Sequence, residues 1–287
     1  MKKVMILGSA GMLGHMVYHY LSTFNKYTIF DASYPEKLHR HSKLLDVTNT
    51  IELKKYIETE DPDIVINCIG ILIKGSQSDP SNAIYLNSFF PHYLINILRK
   101  TGGRLIHVST DCVFSGEKGN YTEKDFRDAD DIYGRSKALG EVINNTDVTL
   151  RTSIVGPELK KNGEGLFHWF MHQKGKINGF TKALWGGVTT LELAKVIDEV
   201  IDKNITGLIH ITNKQSISKY DLLKLFRDTF NKNDIEICPI NGKLEDKSLK
   251  SIRNDLNYKI PSYNKMIEEL HDWIINYPDL YSSNYIL

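Results

Sequence analysis

Short apolar runs rich in β-branched residues alternate along the first half of the chain with longer stretches of helical periodicity. Val4–Leu7, Thr28–Phe30, Ile64–Asn67, Leu105–Ser109 and Val148–Arg151 predict strands, and Met12–Thr23, Ile51–Thr59, Asn82–Lys100 and Tyr133–Asn144 predict the helices between them. The strand runs are apolar throughout instead of alternating, so both of their faces are buried, as happens when crossover helices cover a parallel sheet. The predicted fold class is α/β, a doubly wound parallel sheet. Asp79-Pro80 precedes the third helix, and Gly102-Gly103 closes it as a C-cap does.

Beyond Arg151 the periodicity lapses. Residues 156–187, rich in Gly, Lys and aromatics, predict loop with a short helix. Leu191–Asp202 then predicts a helix and Leu208–Thr212 a strand, returning the chain to the sheet. Ser218–Phe230, with Ser218 as N-cap, the strand Ile235–Ile237 and a helix near Tyr263–Ile275 follow. The expected organisation is a large domain, residues 1–155 with 188–212, and a smaller interleaved one, residues 156–187 with 213–287.

Composition narrows the function classes. With 41% hydrophobic and 25% charged residues among 287, wholesale disorder is excluded. Thirty-six Lys+Arg against 35 Asp+Glu, with no long run of one sign, leave no footprint for nucleic acid or an anionic membrane. Three cysteines, Cys68, Cys112 and Cys238, lie far apart without CxxC spacing, so neither a disulfide framework nor a metal cluster is expected, and a reducing cytoplasm fits best. The apolar run after Met1-Lys2-Lys3 stops at Gly8, short of the roughly 7–15 residues of a secretion signal core. No stretch approaches the roughly 20 apolar residues of a membrane span.

The first strand runs into Gly8-Ser9-Ala10-Gly11-Met12-Leu13-Gly14 and then a helix, with GxxGxxG spacing. Such glycines permit a tight turn, let backbone N–H groups approach a pyrophosphate, and let the helix pack close to the strand. This makes the large domain a Rossmann-type dinucleotide-binding domain. Asp31, about 20 residues on, stands where an acid binds the ribose 2′-OH of NAD and repels the 2′-phosphate of NADP. Lys37, His39 and Arg40 follow it and suit that phosphate instead, so the choice between NADH and NADPH stays open.

A second constellation pairs Ser109-Thr110-Asp111, at the end of the fourth predicted strand, with Tyr133-Gly134-Arg135-Ser136-Lys137. Tyr and Lys at i and i+4 share one helical face, and ligands in such sheets bind at the carboxyl ends of strands. A phenol beside an ammonium is a proton donor with a lowered pKa, and a strand-end hydroxyl holds the substrate oxygen. Cys112 lacks a histidine to activate it, which argues against nucleophilic catalysis.

These segments resemble the extended short-chain dehydrogenase/reductases, and among them the dTDP-4-dehydrorhamnose reductase-like, nucleotide-sugar 4-keto reductase family. The resemblance is carried by Gly8–Gly14, Leu45-Asp46-Val47-Thr48, Val65-Ile66-Asn67-Cys68, Ser109–Gly116 (STDCVFSG), Tyr133–Glu141 (YGRSKALGE) and Leu150-Arg151-Thr152-Ser153. It implies a catalytic triad of Thr110, Tyr133 and Lys137, a nucleotide-sugar substrate and NADPH or NADH as cofactor. Gly8, Ala10, Gly11, Met12, Leu13 and Gly14 would cradle the dinucleotide. Asp46 and Val47 would flank the adenine, Asn67, Cys68 and Ile69 would line the dinucleotide path, and Asn87 would brace the site. Ser109, Thr152 and Ile154 would complete the cofactor wall. Asp111, His168, Trp185 and Arg253 are candidates for the substrate, with Trp169 beside them.

Two features depart from the family pattern: Cys68-Ile69-Gly70 replaces an alanine pair, and no single basic residue after the second strand marks an NADP user. An epimerase on the same scaffold is the alternative within the class. A dehydratase would carry Asp-Glu after the threonine, where this chain has Asp111-Cys112. A regulatory subunit, like the β subunit of methionine adenosyltransferase, is the alternative outside it. Helices of such proteins often pair across a two-fold axis, which makes a homodimer the assembly to expect.

Overall fold

The computed structural model describes residues 1–242 and 244–285; position 243 and the last two positions of the expected smaller domain lie outside the described residues. The chain runs β1 (Lys2–Leu7), α1 (Gly14–Ser22), β2 (Tyr27–Ser33), β3 (Lys43–Leu44), α2 (Thr50–Glu60), β4 (Ile64–Asn67), α3 (Ile73–Ser78) and α4 (Pro80–Ala83). A π-helical stretch, Ile84–Phe89, leads into α5 (Phe90–Thr101), followed by β5 (Arg104–Thr110), α6 (Ile132–Leu139), β6 (Val148–Thr152), β7 (Ile154–Val155) and α7 (Leu166–Met171). The remainder is β8 (Gly175–Phe180), β9 (Ala183–Trp185), β10 (Val188–Thr189), α8 (Thr190–Asp202), β11 (Gly207–His210), β12 (Ile217–Ser218), α9 (Lys219–Thr229), β13 (Ile235–Ile240), β14 (Glu245–Asp246), α10 (Tyr263–Asn276) and α11 (Pro278–Tyr281).

Seven strands form one sheet in the order β11-β6-β5-β4-β1-β2-β3, and every neighbouring pair is parallel. The order reverses at β1, between β2 and β4. That reversal opens a crevice above the carboxyl ends of the strands, the place where doubly wound sheets take their ligands. β1 and β4 are buried along their apolar runs because α1 and α8 cover one face and α2 and α5 the other. One cluster holds Val4, Ile6, Val17, Ile66, Val196 and Ile197. The other holds Met5, Leu7, Val65, Leu53, Leu94 and Leu98. Consecutive residues of a strand therefore supply opposite cores.

Several elements differ from expectation. α1 starts at Gly14 and not at Met12, because residues 8–13 form the turn. The helix expected over Asn82–Lys100 begins at Pro80, capped by Asp79 Oδ1 on the N–H of Asn82, and contains the π-helical turn. α6 stops at Leu139, five residues early, with Gly140 as its cap. The stretch 156–187 contains strands: β8 pairs in parallel with β13, and β9 sits between β12 and β14.

His210 and His15 are buried as neutral imidazoles. The guanidinium of Arg151 only donates, so Nε2 of His210, 2.7 Å from Arg151 Nη1, is the acceptor and the ring is neutral. Burial, with Arg151 adding to it, brings the pKa of His210 down to about 4. His15 is brought down by burial to about 4 as well; its ring bridges Gly11 O and the Tyr281 hydroxyl. A histidine with a depressed folded pKa stabilises the fold fully above its unfolded value, and that contribution is lost as pH falls from about 6.5 to about 4. Going from pH 7 to pH 5 is expected to cost about 2 kcal/mol per histidine. Urea midpoints at the two pH values check this, and equal midpoints would refute it.

Candidate active site

β1 delivers the chain into the crevice at Leu7, and the glycine turn follows. Gly8 takes φ +84°, a left-handed conformation that suits glycine, and its N–H donates to Ala32 O at 2.8 Å. At Gly14 a Cβ would stand 2.1 Å from Gly8 O, so only a glycine lets α1 approach the turn this closely. The result is a hollow cradle at the N-terminus of α1. It opens into a cavity of about 580 Å³ that Ala10, Gly11, Met12 and Leu13 line from below.

The far wall of that cavity comes from β5 and α6. Asp131 caps α6 by accepting the N–H of Gly134 at 2.9 Å, which sets Tyr133 in the first turn and Lys137 one turn on. Thr110, at the end of β5, donates its hydroxyl to Asp111 Oδ1 at 3.2 Å and accepts the N–H of Cys112 at 3.1 Å. Thr110, Tyr133 and Lys137 all line the cavity, together with Ser109, Asp111, Cys68, Ile69, Thr152 and Ile154. Tyr133 is half-buried, and its burial holds the phenol above its ordinary pKa, so it is protonated at neutral pH. This differs from the lowered value expected from the motif. Lys137 is buried; burial brings its pKa down to about 8, and its Nζ donates to Val108 O at 2.8 Å.

Asn87 lies in the π-helical turn, a feature that recurs at functional sites. Its Oδ1 accepts the N–H of Ile71 at 2.9 Å, and its Nδ2 donates to Ile71 O and to Ser136 Oγ. It therefore ties the segment after β4 to the helix of Tyr133. Asn67 is fully buried beneath the cavity, accepting the N–H of Ile69 at 3.1 Å and facing His107 at 3.2 Å.

Other expected site residues are engaged elsewhere. Asp31 is buried, with Oδ2 accepting the Ser9 hydroxyl at 2.6 Å and Oδ1 3.2 Å from His39 Nε2; it lines a separate hollow with Lys37, His39 and His41. Asp46 accepts from Thr48 outside the cavity, and Val47 joins the core. His168 is buried against the Tyr285 hydroxyl and Lys161 O, so packing and not a ligand occupies both ring nitrogens. Trp185 is buried on Tyr263 and donates to Ser153 Oγ at 2.9 Å, supporting the cavity wall from behind. Arg253 donates to Thr206 O and Leu208 O and pairs with Asp255, bracing β11 and not lining the cavity. Trp169, 40% exposed, lies outside the cavity too.

The sequence reading missed the mouth. Leu72, just before α3, Ile73 and Lys74 in its first turn, and Glu158, Lys160 and Glu164 also line the cavity. Lys247 and Lys219 act on the buried carboxyl of Asp111, whose pKa burial raises. Their signal was a general one, charged residues in aperiodic sequence. Among the described residues no group of acidic, His and Cys side chains is placed to hold a metal, and no helix is long and apolar enough to cross a membrane.

A parallel sheet of this order, a glycine turn at its reversal, and Thr, Tyr and Lys meeting above β5 define an extended short-chain dehydrogenase/reductase. The family model described as the RmlD substrate binding domain matches residues 1–254, and the chain belongs to that family. The dTDP-4-dehydrorhamnose reductase of Aggregatibacter actinomycetemcomitans is 24% identical over 253 residues, covering 84% of this chain and 83% of its own. Methionine adenosyltransferase 2 subunit beta of Xenopus laevis is 24% identical over 256 residues, covering 84% of this chain and 76% of its own. The solved dTDP-4-dehydrorhamnose reductase of Bacillus anthracis, in complex with NADP, matches with a TM-score of 0.81 at 20% identity, covering 95% of this chain and all of that one.

Proposed function

We propose that the chain is an NAD(P)H-dependent reductase of a 4-keto-6-deoxy nucleotide sugar, serving deoxysugar synthesis for a surface polysaccharide. The observation that carries this reading is the convergence of Thr110, Tyr133 and Lys137 on one wall of a cavity whose floor is the glycine cradle. The cradle fits a dinucleotide: it is built of backbone at a helix N-terminus, and a Cβ at Gly8 or Gly14 would crowd it. The bound cofactor supplies the hydride for the sugar C4.

Ala10 to Leu13 receive the diphosphate, with Gly8 and Gly14 keeping the cradle open. Cys68, Ile69, Ser109, Thr152 and Ile154 line the path to the ribose and amide ends, with Asn67 supporting Ile69 from beneath and Asn87 bracing the segment after β4. The Thr110 hydroxyl orients the C4 carbonyl, and Tyr133 donates its phenolic proton to the carbonyl oxygen as that oxygen becomes a hydroxyl. Lys137 stabilises the phenolate left behind. The stretches 156–187 and 213–287 form the lobe that holds the nucleotide sugar, with Asp111 against a sugar hydroxyl. Two copies pairing through the exposed apolar side chains of Ile84, Phe89, Leu139 and Ile143 complete the reading; a monomeric mass by light scattering would remove that part of it.

The test is oxidation of NADH and NADPH against 4-keto-6-deoxy sugars linked to dTDP, UDP, GDP and CDP. Consumption of one cofactor with one donor is expected. Binding of both without consumption overturns the reductase. Isomerisation of the sugar would then indicate an epimerase, and a stable complex with a methionine adenosyltransferase without turnover a regulatory subunit.

A further inference from the structure

A buried ion network lies under the cavity and has no part in the chemistry above. Glu141 follows the cap of α6, four residues beyond Lys137, and its side chain is wholly buried. Arg151 of β6 donates from Nε to Oε1 at 2.7 Å and from Nη2 to Oε2 at 2.5 Å. Arg127 donates to Oε2 at 3.0 Å, and Ser109 donates its hydroxyl to Oε1 at 2.8 Å. Arg151 is itself buried, with its guanidinium 5.0 Å from the centre of the Phe114 ring.

We infer that Glu141 is a positioning residue for the reaction: it bolts the end of the catalytic helix to β5 beside Thr110 and supplies the negative charge that keeps Lys137 an ammonium. Three successive residues of β5 carry the argument. Val108 O receives Lys137 Nζ, Ser109 Oγ meets Glu141, and Thr110 presents the catalytic hydroxyl. The helix is thus fixed to the strand at two points, one turn apart. Well-packed apolar residues of similar volume often stabilise a fold as well as a buried ion pair does. Stability therefore does not explain its presence, whereas a charge requirement does.

The surroundings of Lys137 support that requirement. Burial lowers its pKa, while Glu141 and then Cys68 oppose the fall. The other groups facing it are Tyr133 on its own helix and His107 on β5, which burial keeps neutral. Arg151 and Arg127 stand behind Glu141 with the opposite sign. Without the carboxylate, Lys137 faces uncompensated cations.

The inference takes the role of the lysine from the proposed function, and its test reads charge alone. The whole protein, labelled with ¹³C-lysine, is titrated by NMR, Lys137 being the resonance missing in Lys137→Met. Glu141→Gln is expected to lower the Lys137 midpoint by at least about one pH unit, and Arg127→Gln to raise it. The alkaline limb of kcat/KM moves with each. An unmoved midpoint in folded Glu141→Gln overturns the inference. Should that variant fail to fold, an unmoved midpoint in Arg127→Gln overturns it and a raised one supports it. Failure of the reductase reading is distinct: the midpoints shift while no sugar is reduced.

Discussion

Tyr133→Phe is expected to lower kcat for reduction by about 10³-fold while leaving the Kd for NADPH within about twofold. The substitution removes one oxygen and keeps the ring, so the half-buried first turn of α6 and its Asp131 cap are undisturbed. What is lost is the hydroxyl proposed as the proton donor. No neighbour replaces it. Lys137 stands one helical turn behind the phenol with an N–H on Val108 O, an alcohol such as Thr110 is a far weaker acid than a phenol, and the Cys112 thiol is pushed up to about 12, chiefly by burial. Because burial holds the Tyr133 phenol above its ordinary pKa, the wild type keeps its donor protonated at neutral pH. Its rate is expected to decline instead where Lys137 loses its charge, near pH 8. Steady-state kinetics with calorimetric binding of NADPH separate the two effects. Turnover within tenfold of wild type would remove Tyr133 from the mechanism.

The Rossmann half was legible because its strands are buried on both faces and bounded by glycines, so Val4–Leu7 and Ile64–Asn67 stand out as apolar blocks. β2 was read short, as Thr28–Phe30, because Asp31 and Ser33 look like loop residues. They are buried strand residues whose partners, Ser9 and Glu36 O, come from the adjoining turns. The end of α6 was misplaced because Glu141 leaves the helix for Arg151, ten residues on, a pairing that helical periodicity does not register. In the second half, β8 buries only Ile177 and Gly179, too few positions to show alternation.

The triad was legible as a motif because strand and helix each carry their chemistry within a few residues. Asp31, His168, Trp185 and Arg253 were not, because what decides their role is a distant partner: Ser9, Tyr285, Tyr263 and the backbone of β11. Polar and aromatic residues read as site candidates whenever their packing partners lie far away in sequence.

Gly14→Ala is expected to weaken NADPH binding by about 100-fold, about 2.7 kcal/mol, and to lower stability by about 3 kcal/mol. Two effects oppose each other here. Alanine favours a helix over glycine by about 1 kcal/mol, and Gly14 has no left-handed φ to forbid a side chain. Against that, the new Cβ would stand 2.1 Å from Gly8 O, 2.7 Å from Gly8 C and 2.8 Å from Ser9 Cα. All three are backbone atoms, so no rotamer change relieves the clash, and either the turn opens or α1 lifts off β1. Lifting α1 is resisted by Met16, Val17 and Leu21, buried in the core that α1 shares with α8. Opening the turn disturbs the N–H groups that line the cradle. The steric term therefore exceeds the propensity term, and both binding and stability suffer. Gly102→Ala is the control: an alanine at its φ of +80° costs about 1–2 kcal/mol, but nothing lies within 4 Å of the added Cβ. It is expected to lose that stability with unchanged NADPH affinity. Calorimetric binding and thermal melts of both variants decide the matter. A Gly14→Ala protein that melts and binds like the wild type would show that the close approach of α1 to the turn is not what shapes the cradle.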